Sequence, residues 1–181
     1  MTAVKTTIPL RDLITGLEAA LDELGSLVSA FDPEAYAVNP APGFSSGVGP
    51  HLRHCLDHVD VLVSAHRGAN VVDYDARRRG TVDETDLGEA LRRLDRLRTD
   101  IRSLQHESDG DCTVRIRVSA DAEEIAVPSR WSREILYVFQ HTIHHGALMS
   151  SIARSLGIEV AAEIGRAPST RIADRDRPCA R

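Results

Sequence analysis

WSREILYVFQHTIHHGALMSSIARSLG, the stretch from Trp131 to Gly157, reads as one long helix and carries three histidines, His141, His144 and His145, within five residues. Residues four apart on a helix lie one above the other on the same face. His141 and His145 therefore offer two imidazoles to a single ion, while His144 points elsewhere. At about 100° per residue, the buried arc of this helix runs through Ile135, Val138, Phe139, Thr142, Gly146, Met149 and Ala153, with the histidine pair on its edge. Two helical ligands leave a site incomplete. A second stretch, PHLRHCLDHVDVLVSAH from Pro50 to His66, supplies His51, His54 and His58 beside Cys55, Val61, Leu62 and Ala65. Two inward-facing histidine clusters on separate helices predict a metal site between helices.

The remaining chain supports a helical frame. Leu10, Leu13, Ile14, Leu17, Leu21, Leu24, Val28 and Phe31 recur on one helical face, which predicts a first helix. Pro9 suits its first position, and Asp32-Pro33 ends it. Pro40, Pro42, Gly43 and Gly47 mark a loop before the second helix, Pro50 to about His66. Asn70 to Gly80 has no period and predicts a connecting loop. Leu87, Leu91, Leu94, Leu97, Ile101 and Leu104 predict a third helix, whose arginines and aspartates fall on a solvated face. Val114, Ile116 and Val118 alternate with arginines, the period of a strand. Glu124 to Val127 is its hairpin partner, with Pro128 and Ser129 ending the strand and capping the fourth helix. Gly157 fits a left-handed cap. The fold class expected is all-α: a four-helix bundle with a small β-hairpin between helices 3 and 4. It forms a single domain over 1–181, with its core at about 8–157 and an extended C-terminal tail at 158–181.

Composition narrows the function. A formal net charge of −5 over 181 residues, with aspartates interrupting the arginine run at 92–98, excludes a general nucleic-acid binder. No apolar run approaches the ~20 residues of a membrane span, and the start is too polar for a signal peptide, so the expected location is cytoplasmic. Cys55, Cys112 and Cys179 lack any paired spacing, which excludes a disulfide framework or zinc knuckle. Neutral imidazoles suit zinc, nickel, iron or copper, and three of them leave a position open for water, thiol or substrate. Glu134 lies one or two turns before the histidine pair and is the candidate general base or support for a ligand, although helix-start glutamates commonly serve the dipole. Asp57 reads as a surface carboxylate, Cys55 as a small core residue, and His66 and His106 as surface residues.

Four segments in order, GVGPHLRHCLDH (47–58), VDYDARRRG (72–80), QHTIHHGAL (140–148) and GRAPST (165–170), resemble the DinB/YfiT-like superfamily of four-helix-bundle metal-binding proteins. The resemblance covers nearly the whole chain. It implies a divalent metal, zinc or nickel, held by one histidine of helix two and two of helix four, which fall here on His54, His141 and His145. His51 and His58 share the face of His54 and are its alternatives. Many members follow the last histidine with Arg-Gly-Gln, where this chain has Gly146-Ala147-Leu148, so a substrate role for that arginine does not carry over. Characterised relatives include S-transferases that use a low-molecular-weight thiol, and the resemblance implies such chemistry on a small-molecule substrate. A metal-dependent hydrolase and a non-catalytic binding bundle are the alternatives. Ile143, Ala147 and Ser151 line the far side of helix four and predict a homodimer. The loop at 72–80 and the segment APST are expected at the pocket mouth.

Overall fold

The computed structural model describes residues 10–76 and 78–176. Its elements are α1 (Leu10–Val28), α2 (Pro33–Ala37), α3 (Val48–Arg67), β1 (Val71–Asp73), α4 (Leu87–Arg102), β2 (Asp111–Ile116), β3 (Ile125–Arg130), α5 (Trp131–Ser155) and α6 (Pro168–Arg175), with short 3-10 turns at Val82–Glu84 and Ser103–His106. The chain is mostly helical with one small sheet. Helices α1 and α3 each pack against both α4 and α5. The apolar stripes meet in one core, where Ile14, Leu17 and Leu21 face Leu52, Leu56, Leu97, Ile101 and Ile135 with almost no exposure. Each such side chain contributes roughly 1.5–3 kcal/mol by leaving water. No helix among the described residues is long and apolar enough to cross a membrane.

Several local expectations are corrected. The loop after α3 contributes a third strand: β1 pairs in parallel with β2, and β2 pairs with β3, giving the order β1-β2-β3. Pro128 and Ser129 lie inside β3 rather than beyond it. The first turn of α5 is capped from a distance instead, where Asp109 accepts from the Ser132 backbone N–H at 3.0 Å and its hydroxyl at 2.9 Å. Two short helices, α2 and α6, lie outside the four helices expected from the sequence. Pro9, residues 177–181 and Arg77 lie outside the described residues. At the other end of α5, Gly157 takes φ +75°. Its N–H donates to Arg154 and that of Ile158 to Ala153, so the expected left-handed stop is a Schellman closure. The tail then returns along α5. Gly165 lies so near Ala147 that a Cβ would meet its backbone nitrogen at 2.2 Å. The side of α5 expected to seat a second subunit is thus partly covered by the chain itself.

Charge fixes how α3 sits. Asp57, read from sequence as a surface group, is 5% exposed. It accepts from Arg53 at 2.8 Å and from Arg93 of α4 at 2.7 Å, and Arg93 also bonds Asp83 at 2.7 Å. Arg53 reaches Glu84 at 2.9 Å. Arg93 is therefore no part of the solvated face of α4. Next to this network Gly49 admits no side chain, because a Cβ would sit 1.9 Å from the Glu84 carbonyl oxygen. Removing one member of a buried ion network strands its partners and costs about 3–5 kcal/mol. Arg93→Ala is expected to lose stability of that order in urea unfolding. Arg92→Ala, which breaks only an exposed pair with Glu89, should leave the midpoint essentially unmoved.

Candidate metal centre

The histidines of α3 and α5 meet across the helix interface. On α3, His54 and His58 stand one turn apart, about 100° around the axis from Arg53 and Asp57. The ion network that turns Asp57 toward α4 thereby turns the histidines toward α5. His54 Nε2 lies 2.9 Å from His141 Nε2. The rings of His58 and His141 stack with centroids 4.3 Å apart. His54, His58 and His141 each bring one nitrogen into a group whose members lie within 4.8 Å of one another. These three histidines could hold a metal ion. Ligand nitrogens around a tetrahedral ion at about 2.0–2.1 Å are roughly 3.3 Å apart, a separation that the 2.9 Å contact and the 4.8 Å spread bracket. The donor set, three imidazoles with no competing carboxylate in the group, suits a divalent transition metal such as zinc, nickel, iron or copper.

His145 stands beside this group. Its ring centroid is 4.4 Å from that of His141 and 4.8 Å from that of His54. Its Nδ1, however, lies 3.0 Å from Nδ1 of His51. Of the residues singled out in sequence, the structure brings His54 and His141 together with His58, and sets His145 against His51. His144 and His106 are exposed. His66 is half-buried, its ring 4.7 Å from that of Trp131.

Support comes from residues that spacing alone did not reveal. His58 Nδ1 lies 2.9 Å from the His54 carbonyl oxygen; donating there leaves Nε2 for the group. Tyr74, in β1's trailing turn, stacks on the His58 ring at 5.0 Å and 15°. Its hydroxyl donates to Glu134 at 2.9 Å, and the Ser129 hydroxyl donates to the same carboxylate at 2.5 Å. Glu134 is 5% exposed and reaches the histidines through Tyr74. Tyr137 stacks on His141 at 5.7 Å. It lies four residues before His141, so the helical period could have flagged it, whereas nothing in the loop sequence marks Tyr74 beyond being an aromatic in a polar run. Of the two segments expected at the pocket mouth, the loop contributes Tyr74 and Asp75. Pro168 packs instead near Gly16, Phe139 and Ile143.

A model of the DinB superfamily matches residues 16–149. The chain belongs to the DinB superfamily. Over 115 residues it is also 31% identical to a protein from Rhizopus delemar named FK506-binding protein 5, a match covering 62% of this chain and 30% of that protein. The chain therefore aligns with less than a third of that relative's length. No solved structure matches. In this DinB-superfamily chain both clusters that carry the resemblance, on α3 and α5, line the same interface.

Burial disfavours the charged forms of His145 and His51. Burial lowers the His145 pKa from 6.5 to about 3, and the neighbouring His141, His51, His144 and His58 add to the effect. His51 shifts down too, through burial and then His144. Between pH 6.5 and 3 the unfolded chain holds a proton that folded His145 refuses. Stability is thus full above about 6.5 and drains as pH falls toward 3. Metal-free protein should melt at steadily lower temperature from pH 7 to 4.5, and His145→Gln should flatten that slope. A wild-type melting profile that is level over this range would contradict a neutral, buried His145.

Proposed function

We propose that this chain is a divalent-metal-dependent enzyme on a four-helix-bundle frame, which joins a low-molecular-weight thiol to an electrophilic small molecule. The observation that carries the reading is the convergence of His54, His58 and His141 from two helices. Zinc or nickel would be held by these three, with His145 and His51 as a neutral imidazole pair alongside. Such an ion, when bound, supplies the positive charge that lowers the pKa of a thiol or water at its open position.

The chain's own groups do the rest. The His54 carbonyl fixes the tautomer of His58, and the Tyr74 ring fixes its plane. Glu134 anchors Tyr74 and, already accepting from two hydroxyls, serves as a positioning residue. Neither buried cysteine is a nucleophile. Burial pushes the Cys55 thiol up, with Asp57 adding to it, and burial with Glu134 pushes Cys112 up to about 11. With no reactive cysteine among the described residues, we assign the reacting sulfur to a co-substrate. With an epoxide, the new bond is sulfur to carbon, the bond lost is carbon to oxygen, and the thiol proton ends on that oxygen; nothing is oxidised or reduced.

Elemental analysis of protein purified without chelator or a nickel column tests the site. About one equivalent of a transition metal is expected in wild type and in His145→Ala, with none in His54→Ala or His58→Ala. Loss in His145→Ala with retention in His58→Ala would place the ion one turn along α5, on His54, His141 and His145. Loaded protein should consume an epoxide only when thiol is added. Ester hydrolysis without thiol would make the chain a hydrolase instead.

A further inference from the structure

The sheet has two unlike faces. In the register of β2 and β3, Val114 opposes Val127 and Ile116 opposes Ile125, and cross-strand partners point the same way. One face is therefore apolar, while Thr113, Arg115 and Arg117 alternate onto the other. A solvated sheet face is ordinarily the polar one. Here Ile116, Ile125 and Val127 are 36%, 44% and 42% exposed, and their face looks across a cleft of about 450 Å³ toward the start of α5. That volume lies within the range of small-molecule sites, roughly 300–1,000 Å³. Val114, Ile116 and Val127 form one wall, Tyr74 and Tyr137 the other, and His58 lies among the lining residues. The two tyrosine rings meet at 5.1 Å and 53°, an aromatic corner beside the histidine group.

Charge decides what the cleft accepts. Two carboxylates, Asp75 and Glu134, line it against one guanidinium, Arg133. Glu134 is buried and accepts from Tyr74 and Ser129, and Asp75 accepts from the Arg117 backbone N–H at 3.0 Å. Arg133 lies over the Tyr137 ring, 5.9 Å from its centroid. An anionic ligand would meet more negative than positive charge, and the apolar walls offer a cation little beyond two groups already bonded. A larger cleft near α4 is lined by Arg78, Arg92, Arg93 and Arg96 with acidic residues and has no histidine in its lining.

We propose that the cleft between the apolar face of β2–β3 and the first turns of α5 is the electrophile site, that it takes an uncharged organic molecule with an apolar body, and that it holds the reactive end of that molecule at His58. The proposal rests on the thiol-transfer reading for its chemistry, with the epoxide carbon as the atom that receives sulfur, but the site itself is testable without turnover. The full metal-loaded chain is titrated with the neutral dye N-phenyl-1-naphthylamine, followed by fluorescence. Saturable, blue-shifted enhancement is expected, with 1-anilinonaphthalene-8-sulfonate, a similar body carrying a sulfonate, binding at least tenfold more weakly. Val114→Trp fills the cleft, and Val127→Asp charges its half-exposed wall without adding bulk. Each should weaken the neutral dye at least tenfold while metal content stays at the wild-type value. Cobalt loading in place of zinc should speed relaxation of the dye's ring protons, placing it beside the histidines. The His54→Ala/His141→Ala double variant should lose metal yet keep dye binding, so failure of the metal reading and failure of the cleft give different results. Equal dye binding by wild type, Val114→Trp and Val127→Asp would overturn the proposal. So would a tighter sulfonate, or absence of a cobalt effect in protein shown to contain cobalt. Wild type that binds no dye but dissociates from dimer to monomer on Val127→Asp would overturn it as well, and make this face a subunit seam.

Discussion

Arg93 reaches from α4 to bond Asp57 of α3 and Asp83 of the 3-10 turn, with Arg53 closing the network onto Glu84. A helix packed only by leucines and valines can roll by a fraction of a turn at small cost, since many apolar packings are nearly equivalent. A buried carboxylate with two guanidinium partners has far fewer acceptable positions. The network therefore sets the rotation of α3 about its own axis. His54 and His58, one residue on from Arg53 and Asp57, take their aim at α5 from that setting. The polar side of α3 is what makes its histidine side a site.

Much of the frame was legible from periodicity. The four long helices, the alternation in β2 and the Gly157 stop each follow from spacing in a short window. The histidine clusters were legible for the same reason, because an i, i+4 pair on a helix declares its shared face. What spacing cannot carry is which of several same-face imidazoles turns toward the others. His51, His54 and His58 lie on one side of α3, and their selection depends on the approach of α5. There His51 Nδ1 meets His145 at 3.0 Å while His54 meets His141 at 2.9 Å.

Spacing misleads where a residue's setting is made by distant chain. Asp57 and Arg93 each look like surface charge within their own helix, and only the crossing of α3 and α4 buries them. Ser129 has the composition of a helix cap, yet its hydroxyl serves Glu134, and Asp109 does the capping from the turn that precedes β2, beside the pairing of Asp111 with Arg130. β1 has three residues and no alternation of its own; it is a strand because β2 lies beside it. Tyr74 inherits its role from that pairing, which sets the turn after β1 above the His58 ring.

The position of Pro128 inside β3 has a consequence for how the molecule lives among its own copies. β3 is an edge of the sheet, and an open apolar edge invites a further strand, the usual start of aggregation. A proline there withholds one backbone donor from any incoming chain, and Arg130 at the end of the strand adds charge against stacking. The sheet can keep valines and isoleucines in contact with water on one face because its rim is a poor template for another β-strand.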